Sequence, residues 1–127
     1  MAEGLSSYAA NACLNAMGNN TSFAVAQGYV QLHTAAPGAA GTSNVATETT
    51  RKSVSFAVAS GGSIASDADI SWTNIAGSQD ATHFTVWDAS SGGNFLFSGT
   101  ITANGYTAGD TYTFPSGAFT ASFTLAS

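Results

Sequence analysis

Two histidines, His33 and His83, are the side chains of this chain best suited to chemistry. Each lies in a stretch of alternating apolar and polar residues, residues 28–34 and 82–88, which is typical of a half-buried β-strand. Imidazoles on neighbouring strands could share a metal ion, but a useful site needs a third ligand, and Asp88 is the only carboxylate nearby in sequence. We therefore expect no metal. Each imidazole should instead hydrogen-bond a backbone carbonyl or a hydroxyl at the domain surface or at a subunit contact.

The remaining reactive side chains form no catalytic or cofactor-binding pattern. Asp67 and Asp69, like the segment from Asp88 to Asn94, lack the alternating oxygen donors and closing glutamate of an EF-hand, so Asp88 is interpreted as a turn residue. The sequence contains no nucleophile elbow, no Walker loop and no glycine-rich dinucleotide fingerprint. A single cysteine, Cys13, excludes an internal disulfide. The sequence predicts no enzymatic activity and no cofactor.

Charge is scarce along the whole chain. Charged residues make up 7% of the 127 residues, and Arg51 and Lys52 are the only basic side chains against seven carboxylates. This balance disfavours nucleic-acid binding, because neutralising phosphates requires several Lys or Arg contacts. Protein interfaces are depleted of charge in their cores, so a surface rich in Ser, Thr and Ala favours contact with other protein subunits.

The sequence contains no membrane-spanning or secretory segment. No run of eighteen apolar residues occurs, and the N-terminus lacks the basic region and apolar core of a signal peptide. We therefore expect a protein that is made and folded in a cytoplasm without Sec-type export, and that has no membrane partner.

An amphipathic helix is predicted over residues 4 to 18. Apolar residues recur there at three- and four-residue spacing, at Leu5, Tyr8, Ala9, Ala12, Cys13, Ala16 and Met17. The segment 18–20, Gly-Asn-Asn, tolerates left-handed backbone and should end the helix. An Ala-rich helix of this length is marginal alone in water, so it must pack against its own domain or a neighbouring subunit. We divide the chain into an N-terminal helical arm, residues 1–20, and a β-sandwich domain, residues 21–127.

The rest of the chain is a series of short strand patterns separated by turn residues. Strands are predicted at residues 23–26, 29–34, 53–59, 63–65, 69–73, 82–88, 95–102, 111–114 and 119–125. Strands of this number and length indicate an all-β fold made of two packed antiparallel sheets, a β-sandwich with Greek-key or jelly-roll connections. The alternation predicts a core of Val30, Leu32, Val54, Phe56, Val58, Ile70, Trp72, Phe84, Val86, Phe119, Ala121, Phe123 and Leu125.

The stretch from residue 35 to residue 50 is the longest irregular segment. It contains Pro37, Gly38 and Gly41, and its only charge is Glu48. Long loops in compact domains are often interaction elements, and a weakly polar loop suits lying along a partner. A plain flexible connection is the alternative.

Four sequence motifs resemble a known protein family. The strand YVQLHT runs into the Pro-Gly-rich loop, and ETTRKSVSF, THFTVWDA and AGDTYTF follow. Together they resemble a family of small virion proteins of tailed bacteriophages, known variously as head-decoration, minor-capsid or tail-fibre proteins. The resemblance covers about residues 1 to 125, and its motifs concern the fold rather than a reaction.

The resemblance implies a virion structural protein. The first interpretation is a capsid decoration protein on the outside of the head, which bridges subunits of the major capsid protein and self-associates, with a trimer preferred. Docking would involve the helix and the 35–50 loop, through Leu5, Tyr8, Cys13, Met17, Pro37 and Val45. The alternative is a tail-fibre or baseplate component whose receptor- or carbohydrate-binding face uses Tyr106, Tyr112 or Trp87. The absence of a long shaft or trimerisation repeat favours decoration. A third interpretation is a cytoplasmic ligand-binding sandwich unrelated to any virus.

Overall fold

The computed structural model describes residues 4–122 and 126, and for residues 102–106 it describes the backbone alone. Within these residues the chain forms one helix followed by eight strands. They are α1 (Ser7–Gly18), β1 (Gly28–His33), β2 (Lys52–Val54), β3 (Ser63–Ala65), β4 (Ile70–Trp72), β5 (Gln79–Trp87), β6 (Phe95–Tyr106), β7 (Tyr112–Phe114) and β8 (Thr120–Ser122).

The strands pair in three antiparallel sheets. The largest has four strands in the order β2-β1-β5-β6, and two smaller sheets pair β3 with β8 and β4 with β7. Side chains of the large sheet and of the small sheets form a single hydrophobic core. The prediction of an all-β, sandwich-like class with a short N-terminal helix is therefore confirmed, whereas Greek-key or jelly-roll connectivity stays a prediction.

The core residues of the large sheet lie at alternate positions along its strands. Val30 and Leu32 of β1 and Phe84 of β5 are completely buried, and Phe84 packs edge-on against Phe119 with ring centroids 4.9 Å apart. From the small sheets, Phe114 contacts Phe119 at 5.1 Å. Edge-to-face aromatic pairs contribute about 0.5–1.5 kcal/mol beyond the area they bury. The predicted core is confirmed at most positions, whereas Phe123 and Leu125 lie outside the described residues.

Two predicted strands are corrected by the structure. Residues 23–26 form no strand, and the strand predicted over residues 53–59 ends at Val54. Beyond Val54 the chain leaves the large sheet and forms a narrow hairpin with β3, in which Ala57 N–H donates to the Ala65 carbonyl at 3.0 Å. Val58 lies on this hairpin and is 93% exposed, so its assignment to the core was wrong. The alternating pattern of the sequence continues to Val58, but the strand pairing that would have buried Val58 ends at Val54.

The centre of the outer face of the large sheet is also buried. Gln31, His33, Thr85 and Trp87 point away from the hydrophobic core, yet each is at most 9% exposed. The loop from residue 35 to residue 50 covers this face and continues the pairing of β1 beyond the end of β2, where Ala46 N–H donates to the Leu32 carbonyl at 3.1 Å. The large sheet is therefore covered by apolar packing on one face and by a polar layer on the other.

Candidate functional site

His33 lies at the centre of the polar layer. Its Nδ1 is 2.8 Å from the Ser43 carbonyl and its Nε2 is 2.9 Å from Thr85 Oγ1, which also accepts a hydrogen bond from the Trp87 indole N–H at 2.8 Å. A carbonyl can only accept, so Nδ1 carries the proton and the Thr85 hydroxyl donates to Nε2. The ring is neutral in this arrangement, and burial lowers the pKa of His33 below its ordinary value. The expected bonds to a carbonyl and a hydroxyl are confirmed, but the expected position at the surface was wrong.

The second histidine, His83, faces His33 directly across the β1–β5 ladder. Its Nδ1 lies 2.7 Å from the hydroxyl oxygen of Thr82. Across residues 4–122 and 126, no three His, Cys, Asp or Glu side chains are placed to hold a metal ion together. The two imidazoles therefore make structural contacts in the described part of the chain.

Arg51 closes the other end of the polar layer. Its guanidinium lies 4.2 Å from the centre of the Trp87 ring, and Nη1 donates to the carbonyls of Ala89 and Gly92 at 2.9 and 2.7 Å. Stacking on an aromatic face together with several directed bonds is an arrangement that suits Arg better than Lys. One of the two basic side chains of the protein is thus engaged in holding the turn between β5 and β6.

The turn that follows β5 is organised by Asp88. One carboxylate oxygen accepts from the Asn94 backbone N–H at 2.7 Å and the other from the Asn94 side-chain amide at 2.9 Å. These two bonds lower the pKa of Asp88. The interpretation of Asp88 as a turn residue is confirmed.

The 35–50 loop is firmly anchored at several points. Pro37 is buried, and the Glu48 carboxylate accepts from the backbone N–H groups of Ala76 at 2.9 Å and Thr50 at 3.3 Å. Burial raises the pKa of Glu48, but these bonds together outweigh it and leave the pKa lowered. Gly41 has φ 73°, and a Cβ there would stand 2.7 Å from the Phe95 ring. The loop is therefore anchored as a cover of the sheet, and its docking role stays a prediction.

Residues 4–6 of the N-terminal arm are attached to the outer edge of β6. Ser98 N–H donates to the Gly4 carbonyl and Ser6 N–H donates to the Leu96 carbonyl, both at 2.9 Å. Between these bonds Leu5 lies opposite a residue of β6 as an antiparallel bridge. The arm thus extends the large sheet by a short segment before the helix begins, and it covers part of an edge that would otherwise be open to pairing.

Ser6 links the start of the helix to β6. Its hydroxyl accepts from the Ala9 N–H at 3.0 Å, which makes it the N-cap of α1, and it also donates to the Phe95 carbonyl. The helix begins at Ser7, so its predicted start at residue 4 was wrong, because residues 4–6 pair with β6 instead. It ends as the sequence predicted, with Asn19 N–H bonded to the Asn15 carbonyl and Asn20 at φ 49°.

Most of α1 projects away from the sandwich. Ala9 is its one buried residue, whereas Tyr8, Leu14 and Met17 are 45%, 60% and 77% exposed. The helix has twelve residues and none of them is charged. Within the described residues no helix is long and apolar enough to cross a membrane. An uncharged helix that exposes Leu and Met is typical of a surface that is covered in an assembly.

An apolar groove lies between the arm and the sandwich. Its volume is about 370 Å³, and among its lining residues are Leu5, Cys13, Phe23, Phe56, Ile64 and Leu96. A second cavity of about 230 Å³ adjoins it and shares Leu5, Cys13 and Ile64. Together, the groove and the projecting helix form the assembly surface proposed below.

The residues predicted to dock a partner fall in two separate regions. Leu5 and Cys13 line the groove, and Tyr8 contacts Phe23 edge-on at 6.2 Å, while Met17 lies on the projecting helix. The loop residues are elsewhere: Val45 is partly exposed and lies opposite His33, at the end of β1 far from the groove, and Pro37 is buried.

Sequence reasoning missed three residues of this surface. Leu14 was absent from the predicted stripe although it lies one residue after Cys13 on the same helix. Phe23 and Ile64 were assigned to strands rather than to a surface, and only long-range packing brings them beside the arm.

Two of the three aromatic residues considered for sugar stacking are buried. Trp87 is 7% exposed and Tyr112 is 5% exposed, so neither presents a ring to solvent. The side chain of Tyr106 lies outside the described residues. A carbohydrate-binding face built on Trp87 and Tyr112 is therefore excluded by their burial.

Comparison with known proteins gives one family match. The chain matches the sequence model of the family described as podophage GP4 fiber I protein gp80, over residues 4–122. No curated protein sequence matches the chain. The matched range runs from the first residue of the N-terminal arm to the last residue of β8.

Proposed function

Because the chain belongs to this family of phage fibre proteins, we propose that it is a structural subunit of a virion fibre. The proposed role involves no reaction and no cofactor. A sandwich with both faces of its main sheet covered is a rigid body suited to bearing load between subunits. This is the fibre alternative of the sequence interpretation, and the family match is its main support.

The structural observation that supports the proposal is the uncharged helix beside an apolar groove. Leu14 and Met17 remain exposed on α1, and no charged residue of the helix opposes their burial against another protein. In a fibre this surface would join the subunit to its neighbours. The proposed assembly is a homo-oligomer, and the family resemblance of the sequence motifs favours a trimer.

Decoration of the head is the second candidate function. It is supported by the low charge of the chain, which suits docking on a capsid lattice, and by the same projecting helix. In this case the partner would be the major capsid protein of a tailed phage. The family match names a fibre protein and therefore supports the first candidate better.

Cryo-electron microscopy of intact virions distinguishes the two locations. The fibre proposal expects density of the sandwich in appendages at the tail or its junction with the head. Density repeated over the capsid lattice would overturn the fibre proposal and establish decoration. An antibody against the exposed 88–94 turn identifies the density independently of its shape.

A matched pair of variants tests whether the helix carries attachment. The double substitution Leu14→Glu and Met17→Glu places two charges on exposed positions, so the isolated subunit should fold normally. The control, Ser90→Glu with Ser91→Glu, adds the same charge to the exposed turn after β5. We expect the helix variant alone to be lost from purified virions. Equal incorporation of both variants would contradict the assignment of the helix.

A further inference from the structure

We propose that the N-terminal arm is exchanged between copies, so that residues 4–18 of one copy pair with the β6 edge of its neighbour. This deepens the proposed function, on which it rests for the presence of neighbouring copies, by naming the partner of the assembly surface as a second copy of this chain. Exchange of an identical element is a low-cost route to oligomers, because it reuses contacts that already exist within one copy.

The attachment of the arm to β6 does not depend on which copy supplies the arm. It consists of the Gly4–Ser98 and Ser6–Leu96 backbone bonds, together with the bond from the Ser6 hydroxyl to β6. Addition of a short segment to a sheet edge is also a common way for separate chains to bind. The β6 edge is thus already shaped for one defined partner, which is this arm.

The segment that connects the arm to the sandwich permits exchange. Residues 19–27 lie in no helix or strand, and all of them are exposed except the half-buried Phe23. Nine extended residues can span up to about 30 Å, enough to reach an adjacent subunit. The contacts that exchange must rearrange are those of Phe23 with Tyr8 and with the core, and the bond from the Gln27 amide to the Val54 carbonyl, since α1 itself buries only Ala9.

The parts of the arm that one copy leaves uncovered favour an interface with a second copy. The second half of α1 carries Leu14 and Met17 at 60% and 77% exposure, next to a groove of about 370 Å³. Bringing several arms and grooves together would bury these apolar surfaces while keeping the β6 pairing intact. Burial of apolar surface would then favour the exchanged form over the closed single copy.

A disulfide between the arm and β6 reports which copy supplies the arm. Leu5 and Phe97 are directly opposed and lie between the two flanking hydrogen bonds, a pair type with Cα atoms about 4.5 Å apart that suits a disulfide. The variant is Leu5→Cys with Phe97→Cys in a Cys13→Ala background. Exchange predicts covalent oligomers on a non-reducing gel. A purely intramolecular disulfide, seen as a single-subunit band, would overturn the proposal.

A second measurement avoids changing the core. Inserting Gly-Ser-Gly-Ser between Thr21 and Ser22 lengthens the connection and favours return of the arm to its own β6, so the oligomer should weaken by about tenfold or more. The control carries the same insertion between Ser90 and Ser91, and both variants are compared with the unmodified protein by light scattering. Unchanged association of the first variant, or an unmodified protein that is monomeric at high micromolar concentration, would overturn exchange. If the protein is monomeric in solution but microscopy finds it in the fibre, exchange fails and the proposed location in the fibre still holds.

Discussion

Removing the Ser6 hydroxyl should release the N-terminal arm without unfolding the sandwich. The hydroxyl accepts from Ala9 N–H and donates to the Phe95 carbonyl, and Ser6 is only 6% exposed. Ser6→Ala therefore removes an N-cap, which is worth about 1 kcal/mol, and a buried hydrogen bond, which is worth about 0.5–1.5 kcal/mol. With an added cost for the carbonyl left unsatisfied, the free energy of arm opening should fall by about 1.5–3 kcal/mol.

Amide hydrogen exchange measured by NMR tests this value directly. The Ser98 N–H donates to the Gly4 carbonyl and is exposed only when the arm leaves β6. A decrease of about 1.5–3 kcal/mol should accelerate exchange of the Ser98 amide about tenfold to 150-fold. Amides of β5 inside the large sheet, such as that of Phe84, which pairs with Gly99 of β6, should exchange at the unmodified rate, since they open only with the whole domain.

The neighbouring substitution Ser7→Ala provides the control. Ser7 is the first residue of the same helix but is exposed, so its replacement should leave Ser98 exchange within about twofold of the unmodified rate. Two results would refute the reasoning. Unchanged Ser98 exchange in Ser6→Ala would show that the hydroxyl does not hold the arm. Equal acceleration at Phe84 would show that arm and sandwich open as one unit.

Two further predictions concern the sandwich itself. Phe84→Ala should lower the free energy of unfolding by about 3–5 kcal/mol, because the ring is completely buried. Val58→Ala should lower it by less than about 0.5 kcal/mol, because Val58 is exposed. Equal midpoints of the two variants in urea melts would contradict both assignments. Because the pKa of His33 is lowered in the fold, the unfolded chain takes up the proton first as the pH falls. The free energy of unfolding is therefore at its full value above the unfolded pKa of about 6.5. It decreases as the pH drops towards the folded pKa, by at most about 1.4 kcal/mol per pH unit. His33→Asn should remove this slope between about pH 6.5 and 5.5, a range above the ordinary pKa of Glu and Asp, in which Glu48 and Asp88 stay largely ionised in both states. A slope that persists in the variant would assign it to another group.

Local periodicity was sufficient for the faces of the main strands. Val30 and Leu32 point to the core and Gln31 and His33 to the opposite side, as the alternation predicted, because successive side chains of a strand must point to opposite faces. The helix end was predictable for a similar reason, since residues that tolerate left-handed backbone mark it locally.

What covers a face could not be predicted in this way. The alternation distinguishes the two sides of β1 but carries no information on whether water or another segment lies over the polar side. His33 and Trp87 were therefore expected at the surface, whereas the 35–50 loop and Arg51 bury them. Val58 shows the converse error, because its pattern continued after its strand had lost its pairing partner.

The candidate site also has features that the local sequence determines and features that depend on long-range packing. The sequence alone determined that the N-terminal helix is apolar, uncharged and short, because those properties depend on residue types within one local stretch. Only the tertiary structure decided that the arm attaches to β6, through a serine hydroxyl and a carbonyl 89 residues apart, and that a groove remains beside it. Backbone groups are chemically the same at every non-proline residue, so the choice of edge depends on how the whole domain packs and leaves no mark in a local pattern.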